Sequence, residues 1–398
     1  MTKQPHYRIK LKWFRVITWP LYLPFALLAA LFNLVSPIPF KIYTLRVDRI
    51  GHFGANTELF CSLIDMDRLP REFRVYVHRD IPCNPALLDM WKRVLPIHQI
   101  FLPLFDVCHK LGGLGVISRQ EERMGTFDFE NFMEKTEQHI NFTPAEEAEA
   151  KRQAEQLGMA PDRPFVPVLG RDYKYLLEHN PHEDNTHYEF RNTDIDTYIP
   201  AFKHMAERFT VVRAGSTAEK KVAWSDPNFI DYPFSGKTTP LMDIYLAGRC
   251  HFYITCATGP DTVAAQCFRR PTLWVNMIPP TMITTWGSRN LTILKHYWST
   301  REERFLTLSE VLDTPALGMY NYKDIVEAGV KVLDNSPEEI LAAVREMEQR
   351  LDGTWRSTPE DEALQERFWE KYRRRYPERV YVARVGTQFL RDAPHWLD

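Results

Sequence analysis

Hydrophobic and polar positions along the chain predict alternating strands and helices, the pattern of an α/β fold with parallel sheets. The first part opens with an alternating strand, a loop with two glycines and a helix with apolar residues at helical spacing. The predicted elements are Lys41–Asp48, Arg49–Asn56 and Thr57–Met66, then a strand at Phe73–His78, a helix at Pro85–Val94, an apolar segment at Gln99–Phe105 and a helix at Pro144–Leu157. They predict a Rossmann-like domain over residues 40–160.

The same pattern restarts after residue 160 and predicts a second Rossmann-like domain over residues 161–335. Its predicted strands are Phe165–Leu169, Phe209–Arg213, Asn228–Asp231, Cys250–Thr255 and Thr272–Val275, and its predicted helices are Ile195–Ala206, Pro240–Ala247 and Asp261–Phe268. Two helical patterns, Pro337–Leu351 and Pro359–Arg375, fall in residues 336–398, and we expect them to pack back across the domain junction. The sequence thus predicts two Rossmann-like domains that face a cleft.

Residues 13–39 are the most membrane-like stretch of the chain, within an N-terminal segment of residues 1–39. The run Leu21–Phe32 is shorter than the roughly 20 residues of a spanning helix, and prolines at 20 and 24 interrupt it. Basic residues at positions 8, 10, 12 and 15 precede it, beside Trp13 and Trp19. This combination favours a helix that lies on an anionic membrane surface, with a helix packed against the protein body as the alternative. We expect a cytoplasmic protein attached peripherally to the inner membrane.

Composition narrows the class of protein. A formal net charge of −2 over 398 residues gives no general attraction to nucleic acid. The six cysteines form no Cys-x-x-Cys pair and lie mostly in apolar runs, which is typical of reduced, cytoplasmic thiols. Ten tryptophans allow stacking on sugar or base rings, although most such rings fill cores.

The turn at Thr258, Gly259 and Pro260 is the sharpest local candidate for ligand binding. It joins a predicted strand to a predicted helix, and the free N–H groups at a helix N terminus attract phosphate. Asp261 would repel phosphate unless its carboxylate points away. A turn of this kind is also common as plain structure, so the phosphate role of Thr258, Gly259 and Thr262 is a hypothesis.

Arg171 and Asp172 follow the first strand of the second domain, where an arginine can neutralise a diphosphate. The alternative is an ordinary surface ion pair between the two residues. Asp194 and Asp196 match the Asp-x-Asp pattern that holds a metal in some sugar-transferring enzymes, but both lie in a predicted first helical turn. We therefore expect no metal ligands and no cofactor.

Candidate catalytic groups lie in the predicted loop after the first strand. Free histidine has a pKa close to neutral pH, so His52 could take a proton from an attacking hydroxyl. Asp48 or Glu58 could do the same work, and a lone histidine in a loop is more often structural. The base is therefore left open among these residues.

Several segments, taken in order, resemble a family of bacterial glycosyltransferases that accompany surface-polysaccharide and O-antigen clusters. The matching runs are Asp48–Phe53, Asn84 with Met90–Arg93, Arg171-Asp172, Tyr188–Tyr198, Val212–Gly215, Asp231-Tyr232, Met242–Leu246 and Thr258-Gly259. The family resembles the GT-B superfamily and is similar near Gly259 to heptosyltransferases and fucosyltransferases. The resemblance implies metal-independent transfer of a sugar from a nucleotide-activated donor.

This resemblance, with the motifs above, assigns expected roles to the two domains. The expected donor-binding residues of the second domain are Arg171, Asp172, Arg191, Asn192, Arg213, Gly215, Asp243, Thr258, Gly259 and Thr262. The expected acceptor-side residues of the first domain are Arg49, Gly51, Asn56 and Glu58, with His52 or Asp48 as base and Arg171 stabilising the departing nucleotide. The implied acceptor is a lipid-linked molecule or a glycan in surface-polysaccharide or lipopolysaccharide synthesis.

Two alternatives stay open at this level. A sugar-nucleotide epimerase or hydrolase of the same architecture would turn over a nucleotide sugar without an acceptor. A non-catalytic membrane scaffold of a polysaccharide assembly complex would tolerate loss of Arg171 and His52. An inverting outcome follows only if the base acts in a single displacement.

Overall fold

A computed structural model of the chain describes residues 5–118, 128–179, 186–283, 286–318 and 322–398. Its internal contacts divide the chain into two compact units, residues 1–126 (unit 1) and residues 127–398 (unit 2). Each unit contains a sheet of parallel strands with helices packed on it. The predicted α/β class is therefore confirmed. The cleft between two facing domains stays a prediction.

Unit 1 has a three-stranded parallel sheet in the order β2-β1-β3. Its strands are β1 (Phe40–Thr44), β2 (Phe73–Val77) and β3 (Ile117–Ser118), and its described helices are Pro5–Val35, Ile50–Asp65, Pro85–Lys92 and Leu102–Lys110. The sheet core is aromatic, with Tyr43 against Phe60 and Tyr76.

The helix Ile50–Asp65 corrects the sequence prediction of a loop over residues 49–56. It begins at Ile50 rather than Thr57, and β1 ends at Thr44 rather than Asp48. The residues from Phe53 to Ser62 are all buried, so the helix packs into unit 1 on every side. Burial of such side chains outweighs the roughly 1 kcal/mol by which each glycine weakens a helix.

The helix Pro5–Val35 has two unlike sides over its described side chains. On one side, Ala26 is fully buried and packs with Tyr22, Ala29 and Ala30 against the cluster around the helix Leu102–Lys110. On the other side, large apolar side chains are exposed: Leu21, Phe25, Leu27, Leu28, Leu31, Phe32, Leu34 and Val35. The helix continues through both prolines that were expected to interrupt it. Among the described residues, none of the helices has the length and apolar character to cross a membrane.

Unit 2 has a seven-stranded parallel sheet in the order β13-β9-β8-β7-β4-β5-β6 and a small antiparallel sheet in the order β11-β10-β12. The strands are β4 (Phe165–Leu169), β5 (Thr210–Arg213), β6 (Phe229–Asp231), β7 (Tyr253–Thr255), β8 (Thr272–Met277), β9 (Leu291–Leu294), β10 (His296–Ser299), β11 (Arg304–Phe305), β12 (Val330–Leu333) and β13 (Arg384–Val385). The five strands β4 to β8 were predicted, whereas β9 to β13 were not.

The described α-helices of unit 2 alternate with its strands and continue into the C-terminal region. Their bounds are Pro144–Gln156, Lys174–His179, Ile199–Ala206, Pro240–Arg249, Pro260–Thr262, Leu308–Asp313, Tyr322–Glu327, Pro337–Leu351, Pro359–Arg375 and Thr387–Asp392. The predicted helix over residues 195–206 is a 3-10 turn, Ile195–Tyr198, followed by Ile199–Ala206. The two long C-terminal helices have the predicted bounds.

The internal contacts divide the chain between residues 126 and 127, whereas the sequence predicted a boundary after residue 160. The helix Pro144–Gln156 packs within unit 2, where Glu147 accepts a hydrogen bond from Arg249 Nε at 2.9 Å and Gln153 accepts one from Thr239 at 2.6 Å. The C-terminal helices also pack within unit 2, where the hydroxyl of Tyr372 donates to Pro280 O at 3.0 Å. Their contact across the domain junction stays a prediction.

Candidate functional site

The strand order of unit 2 creates a switch point between β4 and β7. Along the chain, β5 and β6 are added on one side of β4, and β7 then pairs with the other side of β4. In open parallel sheets, ligands bind outside the carboxyl ends of the strands at such a point. The loops after β4 and β7 meet there, since Arg171 N donates to Cys256 Sγ at 3.1 Å.

A cavity of about 420 Å³ lies at this carboxyl edge of the sheet. Pockets for small ligands usually enclose about 300–1,000 Å³, so the volume suits a ligand of metabolite size. The lining residues all belong to unit 2 and are Gly170, Arg171, Asp172, Tyr173, Glu189, Asn192, Thr193, Asp194, Ile195, Arg213, Glu219, Lys220 and Asp334. Four predicted donor-binding residues, at positions 171, 172, 192 and 213, therefore share one cavity.

Three cations surround the thiol of Cys256 at the switch point. Burial raises the pKa of this thiol, while the N–H of Arg171 and the charges of Lys295, Arg171 and Arg191 oppose that rise. Arg191 also donates to Ala257 O at 2.7 Å, which holds the loop after β7. Cationic side chains that can meet an anionic ligand therefore lie at the switch point, beside the acidic residues of the cavity lining.

Asp172 and Arg213 connect loops around the cavity. The Asp172 carboxylate accepts hydrogen bonds from Lys174 N and Glu219 N, both at 3.0 Å, and lies 3.6 Å from Arg213 Nη2. The Arg213 side chain is 3% exposed and also contacts Asp231 at 3.4 Å. Asp172 therefore pairs with Arg213 and not with Arg171, so the simple surface pair considered from the sequence is not formed.

Asp194 and Asp196 are both engaged by Lys220. Lys220 Nζ lies 2.7 Å from Asp194 and 2.5 Å from Asp196, and this contact lowers the pKa of Asp194. Asp194 also caps the 3-10 turn that begins at Ile195 by accepting from Asp196 N at 3.0 Å. The pair therefore lies at a helical start, as the sequence predicts. Metal independence itself stays a prediction.

The turn at Gly259 differs from the expected helix start. The segment is α-helical only over Pro260–Thr262 and continues as a π-helix over Val263–Cys267, a form that is often found at functional sites. The hydroxyl of Thr258 shares a hydrogen bond with that of Thr255 at 3.0 Å, and the hydroxyl of Thr262 donates to Gly259 O at 2.8 Å. The residue with positive φ is Ala257, not Gly259.

Asp261 points into the core, as expected for a carboxylate that leaves the turn open to an anion. It accepts a hydrogen bond from Trp274 Nε1 at 2.9 Å, and burial raises its pKa to about 7. Asp243, an expected donor-binding residue, lies on the helix Pro240–Arg249 outside the cavity lining. Burial raises the pKa of Asp243 to about 7 as well, although its hydrogen bond with Tyr232 opposes this rise. Gly215 has φ +117°, and a Cβ there would lie 3.2 Å from Leu169.

The acceptor-side residues lie at the start of the helix Ile50–Asp65 in unit 1, with Gly51 in its first turn. His52 is half-buried, and its Nδ1 lies 3.4 Å from Asn56 Oδ1. Burial lowers the pKa of His52, with the charges of Arg46 and Arg49 acting in the same direction. Glu58 is fully buried, whereas Asp48 is exposed. Solvent therefore reaches His52 and Asp48 among the candidate bases.

Sequence reasoning gave no donor-binding role to several residues of this site, among them Tyr173, Glu189, Thr193, Glu219, Lys220, Lys295 and Asp334. Lys295 follows β9 directly and Asp334 follows β12 directly. Arg171 was singled out because it is a charged residue just beyond the end of a strand, and the same signal would have found Lys295 and Asp334 had these strands been predicted.

No protein-family model and no curated protein matches the chain. Two solved structures are distantly similar. One, a glycosyl transferase of family 9 from Veillonella parvula DSM 2008, has a TM-score of 0.44 and 11% identity over 78% of this chain and 97% of its own. The other, the ADP-heptose LPS heptosyltransferase II of E. coli, has a TM-score of 0.40 and 14% identity over 79% of this chain and 100% of its own.

Proposed function

We propose that the chain is a glycosyltransferase that binds a nucleotide-activated sugar in the cavity of unit 2. The observation that supports this most is the switch point, where Arg171 lines the cavity and the charges of Arg171, Arg191 and Lys295 act on the buried thiol of Cys256. Switch points of parallel sheets bind nucleotides, and arginines neutralise diphosphates. The sequence resemblance to bacterial glycosyltransferases points in the same direction.

The mixture of charges favours a nucleotide sugar over a bare polyphosphate. Acidic side chains line the cavity beside the cations, among them Glu189, Glu219 and Asp334. Carboxylates repel additional phosphate groups, but they accept hydrogen bonds from the hydroxyls of ribose and sugar rings. A diphosphate flanked by two rings rich in hydroxyls therefore suits this lining best.

The proposed reaction needs a base on the acceptor and a cation on the leaving group. The acceptor hydroxyl attacks the anomeric carbon, its proton passes to His52, and the bond from that carbon to the diphosphate oxygen breaks. Because its pKa is lowered, His52 is neutral at pH 7 and able to accept the proton. Arg171 stabilises the negative charge on the departing nucleoside diphosphate. This step inverts the anomeric configuration, which NMR of the product tests.

We also propose that the helix Pro5–Val35 rests on the cytoplasmic face of the inner membrane. Its exposed side carries the eight large apolar side chains from Leu21 to Val35, while its small residues face unit 1. An apolar face of this kind inserts into the headgroup boundary of a bilayer. The basic residues at positions 8, 10, 12 and 15 belong to the part of the helix whose side chains lie outside those described. A lipid-linked acceptor would then lie in the plane that the helix occupies.

The proposed donor site is tested by thermal unfolding with a panel of ADP-, GDP-, UDP-, CDP- and dTDP-linked sugars. A ligand present at 100 times its Kd stabilises the native state by about 2.7 kcal/mol, which raises Tm by about 3 °C in a protein of this size. We expect one class of base to stabilise the wild type and not Arg171→Ala. If no nucleotide sugar raises Tm, the proposed donor site is wrong.

Acceptor dependence separates transfer from the two alternatives. A transferase releases the nucleoside diphosphate much faster when the acceptor is present, whereas an epimerase or hydrolase turns over the nucleotide sugar alone. A scaffold binds without turnover. Incubation of the stabilising nucleotide sugar with and without bacterial membranes, followed by chromatography of the nucleotide products, distinguishes these three outcomes.

A further inference from the structure

Lys295 places a buried positive charge at the carboxyl edge of the unit 2 sheet. It follows β9, and its side chain is 2% exposed. Its ammonium donates to Asn192 O at 2.6 Å and to Asp334 Oδ1 at 2.5 Å. A buried ammonium is costly unless it is paired and hydrogen-bonded, so a lysine here needs a reason.

Both partners of Lys295 line the cavity. Asn192 belongs to the loop before the 3-10 turn Ile195–Tyr198, and Asp334 follows β12. These two residues therefore belong to two walls of the cavity, although residues 192 and 334 are 142 positions apart in the sequence. The Asn192 side chain lines the cavity with a buried Oδ1 that accepts no hydrogen bond from the described residues. Lys295 therefore holds in place a wall that presents an acceptor to a ligand.

Neutral residues already join the same two walls one position further along. Asn335 N donates to Asn276 Oδ1 at 2.6 Å, and Asn276 Nδ2 donates to Thr193 Oγ1 at 2.9 Å. This amide network links residue 193 to residue 335 without any charge. The fold thus has a neutral means of joining the walls, and what Lys295 adds is positive charge.

The positive charge of Lys295 acts on the switch point. Together with Arg171 and Arg191, it opposes the rise in the pKa of the Cys256 thiol that burial causes. The thiol sits where the loops after β4 and β7 meet, which is the position proposed for the diphosphate. Because little water screens a side chain that is 2% exposed, its field acts more strongly there than that of a surface lysine.

We propose that Lys295 is a positioning residue for the diphosphate of the donor, an inference that rests on the proposed nucleotide-sugar site. It holds Asn192 and Asp334 at the cavity wall and supplies positive charge beneath the switch point. Asp334 balances part of that charge while the cavity is empty. The donor sugar and base are recognised by other parts of the lining.

The test compares binding of a nucleoside diphosphate with binding of its parent nucleoside by calorimetry. The probes are ADP, GDP, UDP, CDP and dTDP with their nucleosides, and the ratio of the two dissociation constants isolates the contribution of the phosphates. In Lys295→Met we expect diphosphate affinity to fall by on the order of tenfold, the effect of one charged hydrogen bond, with nucleoside affinity unchanged. Lys295→Arg should recover part of the loss.

Two further variants complete the test. Lys371→Met is the matched control, because Lys371 is a partly buried lysine of unit 2 that donates to Ser309 Oγ at 3.3 Å, outside the cavity lining. It should leave both affinities unchanged. Asp334→Asn removes the counter-charge of Lys295 and should strengthen diphosphate binding relative to nucleoside binding.

The outcomes separate the two proposals. If the wild type binds none of the five diphosphates, the proposed function fails and this inference fails with it. If the wild type binds one but Lys295→Met leaves the ratio unchanged, only the inference is wrong. An equal loss of nucleoside and diphosphate binding would show that Lys295 merely maintains the wall. Should Lys295→Met fail to fold, the ratio in Asp334→Asn decides alone.

Discussion

Arg171 stands apart from the other residues of the site because it connects the two loops of the switch point. Its backbone N–H contacts Cys256, and its side chain lines the cavity. Arg213, by contrast, is held by Asp172 and Asp231 and stabilises the loops around it. We interpret Arg171 as the residue that meets the leaving group and Arg213 as one that shapes the cavity.

Replacement of Arg171 should therefore affect the chemical step more than the fold. In Arg171→Ala we expect kcat/KM to fall by about 100-fold or more, the usual effect of removing one group that stabilises charge in a transition state. Arg171→Lys keeps the charge but loses the planar fork, so it should recover only part of the activity. Steady-state kinetics with the Lys371→Met control measure both. Near-normal kcat/KM in Arg171→Ala would remove it from the mechanism.

The lowered pKa of His52 predicts how kcat/KM depends on pH. Its pKa is lowered by burial and then by the charge of Arg46, so the neutral form persists below the ordinary value of about 6.5. A base must be unprotonated, so kcat/KM should hold at neutral pH and fall only as pH drops below this value. Arg46→Gln should raise the pKa and move the acid limb to higher pH.

The matched control is His78→Gln, since His78 is another partly buried histidine of unit 1 with a lowered pKa. The profile of this variant should match that of the wild type. An acid limb that survives in His52→Gln would transfer the role of base to another group, with Asp48 as the exposed alternative.

Asp261 links titration to the stability of unit 2. Burial raises its pKa to about 7, so the folded state keeps a proton that the unfolded state releases near pH 4. The unfolding free energy should therefore fall as pH rises from about 4 to 7 and stay level above that. Asp261→Asn keeps an acceptor for Trp274 without the charge. Its free energy of unfolding should exceed that of the wild type by a few kcal/mol at pH 8, and the difference should be smaller at pH 5. Equal differences at both pH values in urea unfolding would contradict this account.

Among the elements, the helix Pro5–Val35 bears on the two interpretations of residues 1–39 that the sequence left open. It packs against unit 1 on one side and exposes apolar side chains on the other. Deletion of residues 1–39 would uncover Leu104 and Phe105 in the cluster beneath it, so a truncation tests stability as well as membrane binding. Single substitutions on the exposed side are therefore the cleaner experiment.

Leu28→Glu should weaken membrane attachment without unfolding unit 1. Leu28 is 61% exposed, and a carboxylate on a face buried in lipid carries a cost that the same carboxylate in water does not. Flotation with vesicles that contain anionic lipid should show a clear loss of the bound fraction. Ile81→Glu is the matched control, because Ile81 is 72% exposed in unit 1 but lies outside this helix. Equal flotation of wild type and Leu28→Glu would exclude the proposed face.

The sequence predicted some elements with their ends and missed others for physical reasons. The helices Pro337–Leu351 and Pro359–Arg375 each begin with a complete capping box, at Ser336 and Thr358, which is a local signal. The helix Ile50–Asp65 depends on burial within unit 1, which no local pattern reveals. Lys295 was missed with β9, since its place at the edge of the sheet follows only from the strand before it.

At the scale of the whole molecule, each unit has a distinct proposed task. Unit 2 has the switch point and the cavity in which we propose that the nucleotide binds, whereas unit 1 has the apolar helix and the half-buried His52. We propose that donor binding belongs to unit 2 and that acceptor activation and membrane attachment belong to unit 1. Variants of the two units should then differ in kind: Arg171→Ala should impair nucleotide binding, and His52→Gln should leave it intact.

The most direct measurement of this account is transfer of a radiolabelled sugar from the stabilising nucleotide sugar to bacterial membranes. We expect label to enter the lipid or glycan fraction with wild type and with Lys371→Met, and to be lost with Arg171→Ala and His52→Gln. If label enters that fraction equally with all four proteins, or if free sugar is released at the same rate without membranes, the chain is not a transferase that uses this site.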